Sequence, residues 1–334
     1  MTRRALAVLL AVSAVLGACR KEGPSPGAKK SFKIAVIPKG TTHEFWKSIH
    51  AGAIKAAQDL AAEGVTVELI WKGPLREDDR EQQIQVVEGF TSQGVDGIVL
   101  APLDSKALVR PVEEAKRLGI PTVIIDSGLQ SDQIASFVAT DNYLGGLLAG
   151  EEMGRLLGGK GKALLLRYQE GSASTEERES GFLEKMKTVW PGVQVLSSDQ
   201  YAGATRDTAK RASENLLNRF ANDIQGIFTV NETATAGMLL ALQDISKAGK
   251  VKFLGFDSSQ PFLDAMKAGQ LDGIVLQNPM KMGELGVKTM VQHLLGKPVE
   301  KLVDTGVFLI TPKNMDDPAS KDLLRPPFER YLKP

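Results

Sequence analysis

A unit of two apolar segments, separated by a spacer of helical length, occurs twice in this chain and decides its fold. The first copy consists of GVDGIVLAP at residues 94–102 and IPTVIIDS at residues 120–127. The second copy consists of IQGIFTVN at residues 224–231 and VKFLGFDS at residues 251–258. A repeated unit of strand, helix and strand predicts two similar lobes instead of one continuous core.

Each copy ends in Asp-Ser, which places Asp126 and Asp257 directly after an apolar strand. In open parallel sheets, ligands bind beyond the carboxyl ends of the strands. The position therefore predicts that both carboxylates face one ligand held between the lobes. An aspartate in this place can instead cap the following helix, but the matched pair favours the ligand site.

The first 31 residues have the pattern of an export segment followed by a tether. A basic start, MTRR, precedes an apolar run at residues 5–15, and LGAC follows at residues 16–19. This order predicts a secretory signal peptide over residues 1–19. LGAC resembles the lipobox of bacterial lipoproteins, with Cys19 as the lipid attachment site; the alternative is ordinary cleavage with a spare cysteine. Residues 20–31, rich in Gly, Pro and Lys, predict a flexible linker.

Composition narrows the function of the remaining roughly 300 residues, which are enough for two domains. The chain contains 41 Lys and Arg residues against 40 Asp and Glu residues, so no net charge would attract a nucleic acid. Cys19 is the single cysteine, which excludes an internal disulfide. No set of His, Cys and acidic residues has the spacing of a metal site, and no catalytic nucleophile motif is present.

Apolar runs and segments of helical length alternate along the rest of the chain. Outside the repeats, strands are expected at residues 32–37, 65–71, 162–167, 193–196, 271–278 and 302–310. Helices are expected at residues 44–62, 79–91, 106–118, 144–157, 176–189, 206–220 and 282–295, and the chain from residue 311 is expected to be irregular apart from one turn. This alternation predicts parallel sheets with right-handed crossovers. An extended run at residues 136–142 interrupts the alternation of strands and helices and predicts a first crossing between the lobes.

Six motifs follow one another in an order that is typical of a known family. They are IAVI with the Phe45-Trp46 pair after it, TDNYLGG at residues 140–146, RESGF at 178–182, NE at 231–232, GFD at 255–257 and QNP at 277–279. Through them, residues 32 to about 310 resemble the ribose-type periplasmic sugar-binding proteins. These are the type I substrate-binding proteins of ABC importers and are related to the ligand domains of LacI-type repressors.

The resemblance implies an α/β fold of two Rossmann-like lobes with parallel sheets, joined by three hinge crossings. The N-terminal lobe would contain residues 32–138 and 278–306, and the C-terminal lobe residues 139–277 and 307–334. The crossings would lie near residues 137–140, at residues 277–278 and near residues 304–307.

The resemblance also implies a binding protein without enzymatic activity, cofactor or metal. An exported, lipid-anchored monomer in the periplasm or at the cell surface would bind a small sugar or polyol by hinge closure. It would then deliver this ligand to the permease subunits of an ABC importer, and it would have no nucleic-acid partner. The alternative is a ligand-sensing partner of a chemoreceptor or sensor kinase with the same fold.

A sugar presents hydroxyl groups and flat C–H faces, so its site needs ionised acceptors, forked donors and aromatic plates. Asp126 and Asp257 would supply the acceptors. Arg178 matches the cleft arginine of the family, with a surface ion pair as its alternative role. Asn231 and Gln277 match family positions that both donate and accept, although a helix cap and a hinge marker are their simpler roles.

Three aromatic residues complete the family pattern. Phe45 and Trp46 match its paired aromatic positions, and we expect Trp46 to stack on the ligand while the other ring enters the core. Phe256 either forms the opposite plate or only ends a strand.

The first loop and the first repeat depart from the family pattern. Lys39 and His43 stand where small polar or amide residues are usual, and Ser127 stands where relatives commonly carry arginine. Lys39 either supplies that missing charge, recognises a more acidic ligand, or is a solvated loop lysine. These departures argue against ribose itself as the ligand.

Overall fold

The two copies of the repeated unit lie in two separate sheets. The computed structural model describes residues 30–332, and the signal peptide, Cys19 and nearly all of the expected linker lie outside them. The strands are β1 (Ser31–Ile37), β2 (Thr66–Trp71), β3 (Gly97–Leu100), β4 (Thr122–Ile125), β5 (Ser136–Ala139), β6 (Gly161–Arg167), β7 (Val193–Tyr201), β8 (Gly226–Thr229), β9 (Lys252–Phe256), β10 (Gly273–Leu276), β11 (Leu302–Asp304) and β12 (Phe308–Ile310).

Helices connect these strands. They are α1 (Glu44–Ala62), α2 (Arg80–Gln93), α3 (Val109–Arg117), α4 (Asn142–Leu156), α5 (Ala173–Thr188), α6 (Arg206–Phe220), α7 (Glu232–Asp244), α8 (Gln260–Lys267), α9 (Pro279–Leu294) and α10 (Pro318–Leu324). A single 3-10 turn, Phe328–Arg330, follows α10. Within residues 30–332, no helix combines the length and the apolar character that crossing a bilayer requires.

The first sheet has the strand order β11-β5-β4-β3-β1-β2, and all of its neighbouring strands are parallel. Its central strands are buried along their whole length, because helices cover both faces. Helices α1 and α9 pack on one face, and α2 and α3 pack on the other. The apolar repeat at residues 94–127 therefore forms the centre of this lobe.

The second sheet has the order β12-β10-β9-β8-β6-β7. Helices α4 and α5 cover one face, and α6, α7 and α8 cover the other. Its strands are parallel except for β12, which pairs antiparallel with β10. The expected fold of two parallel-sheet lobes is therefore correct, with one antiparallel edge strand that the alternation of strands and helices did not predict.

The chain passes between the two sheets at three places. It leaves the first sheet after β5, returns to it between β10 and α9, and leaves it again between β11 and β12. The sequence pattern predicted one strand over residues 302–310, which is wrong. Gly306 has a φ of 91° and turns the chain, so that residues 302–304 pair in the first sheet and residues 308–310 pair in the second.

Other differences concern the ends of elements and the tail. Helix α3 is shorter than the expected span of residues 106–118, because the Asp104 carboxylate accepts the backbone N–H groups of Lys106 and Ala107 in a turn before it. Strand β7 extends beyond the expected residues 193–196. The tail, expected to be irregular, contains α10, whose Leu324 is buried against the second lobe.

Two helix pairs with close backbone contact lie next to the crossings. In the first lobe, a Cβ atom at Gly283 of α9 would overlap the carbonyl oxygen of Ile49 in α1. In the second lobe, a Cβ atom at Gly146 of α4 would overlap the carbonyl oxygen of Arg178 in α5. Glycine lets each pair approach closely, which positions the N-terminal halves of α1 and α5.

Candidate functional site

Side chains from both lobes converge on a small cavity of about 40 Å³ at the carboxyl ends of the two sheets. Nine of the ten residues selected from the sequence line this cavity: Lys39, His43, Phe45, Trp46, Asp126, Arg178, Asn231, Asp257 and Gln277. The tenth, Phe256, is fully buried behind it. The lobes are therefore closed on each other, and the polar groups of the cleft contact one another.

Asp126 and Asp257 occupy equivalent places in the two lobes. Both have a positive φ, 64° and 66°, in the left-handed region that costs a non-glycine residue about 1–2 kcal/mol. Neither aspartate is the N-cap of the next helix along the chain, since Asp141 caps α4 and Ser259 precedes α8. The turn that strains each backbone directs the carboxylate into the cleft.

Three groups of the second lobe surround the carboxylate of Asp257. Gln277 Nε2 donates to its Oδ1 atom at 2.8 Å, and the backbone N–H of Glu232 donates to Oδ2 at 3.2 Å. Burial raises the pKa of Asp257 to about 6, although Arg178 and Gln277 favour the ionised form. The charge of Asp126, which faces it from the other lobe, contributes to this rise in pKa.

Arg178 is the central donor of the cleft, and its side chain is 2% exposed. Its Nε donates to Asn142 Oδ1 at 2.9 Å, and Nη1 donates to the carbonyl oxygen of Val230 at 2.8 Å. The guanidinium lies 3.8 Å from the centroid of the Phe256 ring, a cation–π contact. Burial lowers the pKa of Arg178, while the carboxylates of Asp257 and Asp126 oppose this effect.

These contacts distinguish between the alternative roles that the sequence left open for Arg178 and Phe256. A surface ion pair for Arg178 is wrong, because the neighbouring Glu179 pairs with Arg167 at 2.7 Å. Phe256 supports the underside of the guanidinium and does not line the cavity. Its ring therefore affects the cavity only indirectly, because it supports the guanidinium of Arg178.

Lys39 carries a positive charge from the first lobe into the cleft. Its Nζ lies 3.0 Å from Asp126 Oδ2, and it donates to the hydroxyl groups of Ser172 and Ser174 in the second lobe at 3.4 and 3.2 Å. The residue is 4% exposed, so the alternative of a solvated loop lysine is wrong. Ser127 Oγ accepts the backbone N–H of Ser174 at 3.1 Å, so this serine joins the two lobes.

Trp46 is an aromatic residue of the first lobe at the cavity, and Glu77 is its hydrogen-bond partner. The indole Nε1 of Trp46 donates to Glu77 Oε1 at 2.6 Å, and Tyr168 of the second lobe donates its hydroxyl to Glu77 Oε2 at the same distance. Phe45 contacts Trp46 edge to face, with ring centroids 5.0 Å apart. Trp46 is buried in the core of the first lobe and also lines the cavity, whereas Phe45 is half-buried and lines it too, so the expectation that Phe45 enters the core is wrong.

His43 stands between two carboxylates of opposite lobes. Its Nδ1 lies 3.1 Å from Glu232 Oε2, and its Nε2 lies 3.7 Å from Glu77 Oε1. Burial alone would lower the pKa of His43, but the hydrogen bond to Glu232 and the charge of Glu77 outweigh burial and raise it. Arg206 contacts the other oxygen of Glu232 at 2.5 Å.

Asn231 and Gln277 combine local roles with positions at the cavity. Asn231 Oδ1 accepts the backbone N–H of Ala234 at 3.1 Å and so caps α7. Gln277 lies at the second crossing, and its Oε1 atom is buried without a hydrogen-bond partner among the described residues. Both of the simpler roles considered from the sequence are therefore present beside the cavity.

Six lining residues were not selected from the sequence: Glu77, Tyr168, Ser174, Thr175, Glu232 and Thr233. Tyr168 directly follows β6, so the rule that identified Asp126 and Asp257 would also have identified it. Glu77 lies in the connection between β2 and α2, where no periodicity marks it. Ser174 is one of several serines in its segment, and nothing in its type distinguishes it.

Comparison with known proteins agrees with this geometry. A family model described as "Periplasmic binding protein domain" matches residues 34–298. The chain belongs to this family. Periplasmic binding proteins bind substrates and are not enzymes, and the matched range runs from β1 to the end of α9, across the first two crossings.

Two similar relatives of this periplasmic binding protein have sugar-binding names. The ribose import binding protein of Bacillus subtilis is 30% identical over 93% of this chain and 100% of its own length. The D-ribose/D-allose-binding protein of Pseudomonas aeruginosa is 30% identical over 93% of this chain and 98% of its own length.

Solved structures share the fold of this periplasmic binding protein. A carbohydrate transporter solute-binding protein of Agrobacterium radiobacter, in complex with D-arabinose, is 34% identical with a TM-score of 0.83, over 88% of this chain and 99% of its own. A solute-binding protein of Agrobacterium vitis with bound D-fucose is 35% identical and has the same TM-score, over 88% of this chain and 100% of its own. The fold of two parallel-sheet lobes is thereby confirmed.

Proposed function

We propose that this periplasmic binding protein captures a small neutral sugar or polyol between its lobes and delivers it to the permease subunits of an ABC importer. The observation that carries the proposal is the convergence of Asp126 and Asp257 on one cavity from opposite lobes, each beside a buried cation. Relatives named for ribose and allose, and neighbours solved with D-arabinose and D-fucose, support the same class of ligand.

The charges of the cleft favour a neutral polyhydroxy ligand. Lys39 stands against Asp126, and Arg178 stands near Asp257, so each lobe supplies one acceptor and one donor group. A sugar hydroxyl both donates and accepts, and can therefore bond with both members of such a pair. A sugar acid or phosphate would add a negative charge beside two buried carboxylates, which is unfavourable.

Binding and closure are coupled in this proposal. A ligand that bonds with Asp126 and Asp257 at the same time contacts both lobes only when they are closed, so it stabilises the closed state. The lobes would consist of residues 32–138 with 278–306 and of residues 139–277 with 307–334, and the three crossings would act as the hinge.

We also propose that the protein is exported and held at a membrane by a lipid on Cys19, and that it acts as a monomer. The proposal rests on the lipobox-like LGAC sequence and on the periplasmic family. Metabolic labelling with a fatty acid in a bacterial host would test the anchor. Label in the wild type and none in Cys19→Ala supports it, and equal labelling of the two contradicts it.

Isothermal titration with D-ribose, D-allose, D-arabinose, D-fucose and xylitol tests the ligand class. A ligand at 100 times its Kd stabilises the protein by about 2.7 kcal/mol, so a binder would also raise the thermal midpoint. Native mass spectrometry of the purified protein would extend the search to a retained ligand. The proposal is overturned if no sugar or polyol binds in either measurement.

A further inference from the structure

A second and larger compartment, of about 540 Å³, lies beside the cleft. Phe45, Asp257 and Gln277 line both spaces, so the two share one wall. The start of α1 from the first lobe and residues 258–263 from the second form further walls. A cavity of this size is within the range of small-molecule sites.

The C-terminal strap, residues 325–330, forms the outer wall of this compartment. It follows Leu324, which is buried in the second lobe and whose carbonyl oxygen accepts a hydrogen bond from Ser258 Oγ at 3.2 Å. The strap then crosses to the first lobe, where the turn at Phe328–Arg330 lies against α1. Both lobes and the strap therefore enclose the space together.

Two buried polar atoms without partners belong to the wall. Ser259 is 5% exposed and stands at the N-cap of α8, yet its hydroxyl makes no cap hydrogen bond. Among the described residues, neither Ser259 Oγ nor Gln277 Oε1 has a hydrogen-bond partner. Buried polar groups of folded proteins are nearly always paired, and a rotation of the Ser259 hydroxyl toward the compartment that this residue lines would let a ligand supply the missing bond.

The remaining wall residues indicate the chemistry of that ligand. Phe45 and Phe328 are aromatic, and Leu276, Leu323 and two prolines of the strap add apolar surface. The charged residues are three acids, Glu44, Asp257 and Glu329, and two bases, Arg325 and Arg330, so the wall offers no excess of positive charge to an anionic ligand. Apolar faces with a few hydrogen-bonding groups suit a neutral ring.

We infer that this compartment is an accessory subsite, which receives the second ring or aryl aglycone of a glycoside whose sugar ring occupies the cleft. The inference rests on the proposed function, because the cleft must first hold a sugar. The wall shared through Phe45 and Gln277 brings the two rings next to each other. The ligand class is then a neutral glycoside instead of a free monosaccharide.

The test compares each free sugar with its two phenyl glycosides by isothermal titration of the full mature protein. The probes are D-ribose, D-allose, D-arabinose and D-fucose, each measured as the free sugar, as the α-phenyl glycoside and as the β-phenyl glycoside. We expect one anomer of one sugar to bind at least tenfold more tightly than the free sugar. Phe328→Ala should reduce this preference to less than threefold, and Ser259→Ala should weaken glycoside binding without weakening that of the free sugar.

Tyr331→Ala is the matched control, since Tyr331 follows the strap directly and does not line the compartment. It should retain the full preference for the glycoside. If free sugars bind and every phenyl glycoside binds more weakly, the inference is overturned while the proposed function stands. An equal loss of preference in Phe328→Ala and Tyr331→Ala also overturns it. If neither the free sugars nor the glycosides bind, the proposed function itself fails.

Discussion

Asp126 and Asp257 have the same left-handed backbone conformation at equivalent positions of the two lobes, with φ values of 64° and 66°. Each backbone N–H donates to a neighbouring strand, to Val138 O at 3.2 Å and to Val275 O at 2.8 Å. Aspartate adopts this conformation less readily than glycine. The strain is thus present twice, at the two residues that present carboxylates to one cleft, which is typical of a functional site.

Asp257→Asn separates the charge of this residue from its backbone conformation. Asparagine tolerates the left-handed region about as well as aspartate, so the fold should be kept, but the charge-assisted bonds to sugar hydroxyls are lost. We expect the sugar affinity at pH 7.5 to fall by about 100-fold, or roughly 2.7 kcal/mol. Isothermal titration measures it, with the exposed Asp207→Asn as control; an unchanged Kd would remove Asp257 from the site.

The raised pKa of Asp257 also predicts a dependence of stability on pH. Its ordinary pKa is 3.8 and its pKa in the fold is about 6. Between these values the folded protein holds a proton that the unfolded chain has lost, so stability falls as the pH rises from about 4 to about 6. The loss is at most roughly 3 kcal/mol.

Urea unfolding of the wild type and of Asp257→Asn at pH 4.5 and pH 7 measures this loss, because the variant lacks the titrating group. The wild type should be more stable relative to the variant at pH 4.5 than at pH 7. A difference between the two proteins that does not change with pH would contradict the prediction.

The sequence predicted the positions that depend on local pattern. Asp126 and Asp257 were found because an apolar strand that ends in a carboxylate is visible within eight residues. Glu77 was not found, since its partners Trp46 and Tyr168 are 31 and 91 positions away in the chain, and Tyr168 meets it only when the lobes close. No periodicity in the sequence carries that information.

The same limit applies to Lys39, for which the sequence left three roles open. A lysine in a loop after a strand has no pattern that distinguishes solvent from a buried cleft. Its place is set by Asp126 in its own lobe together with Ser172 and Ser174 in the other. Roles that depend on two lobes meeting therefore required the structure, whereas roles set within one strand did not.

Lys39→Met removes the cation while it keeps much of the side-chain volume. Asp126 then has no positive partner at 3.0 Å, and the variant also loses the bonds to Ser172 and Ser174. The lobes can open and rehydrate the carboxylate, so we expect a modest loss of stability, about 1–2 kcal/mol. Sugar affinity should fall at least 30-fold in titrations, while the exposed Lys72→Met should bind as the wild type does.

His43 should make closure of the lobes depend on pH. Its pKa in the fold lies above the ordinary value of 6.5, because Glu232 and Glu77 outweigh the effect of burial and of Arg206. A raised pKa means that the added stability is complete below pH 6.5 and is lost as the pH rises through the pKa of the folded protein. The thermal midpoint of the wild type should therefore exceed that of His43→Gln by more at pH 6 than at pH 8.5. An equal difference at both pH values would exclude this role.

A docking loop, residues 168–174 of the second lobe, holds most of the polar contacts to the first lobe. Besides Tyr168, Ser172 and Ser174, it includes the carbonyl oxygen of Glu170, which accepts from Arg80 Nη2 at 2.8 Å. The carbonyl oxygen of Gly171 accepts the backbone N–H of Ser105 at 2.9 Å. These bonds form only when the lobes are closed, so the loop should set how long the protein remains closed on its ligand.

Gly171→Ala tests the docking loop without changing a residue that lines the cavity. Gly171 has a φ of 87°, and an added Cβ atom would overlap the carboxylate of Asp104 in the first lobe. Gly119→Ala is the matched control, since Gly119 has a φ of 83° and no atom within 4 Å of an added Cβ. Both changes should cost about 1 kcal/mol of stability through backbone strain. Only Gly171→Ala should accelerate sugar dissociation, because only there does the added side chain push the lobes apart. We expect an increase of about tenfold in stopped-flow measurements. Equal dissociation rates in the two variants would show that the docking loop does not control closure.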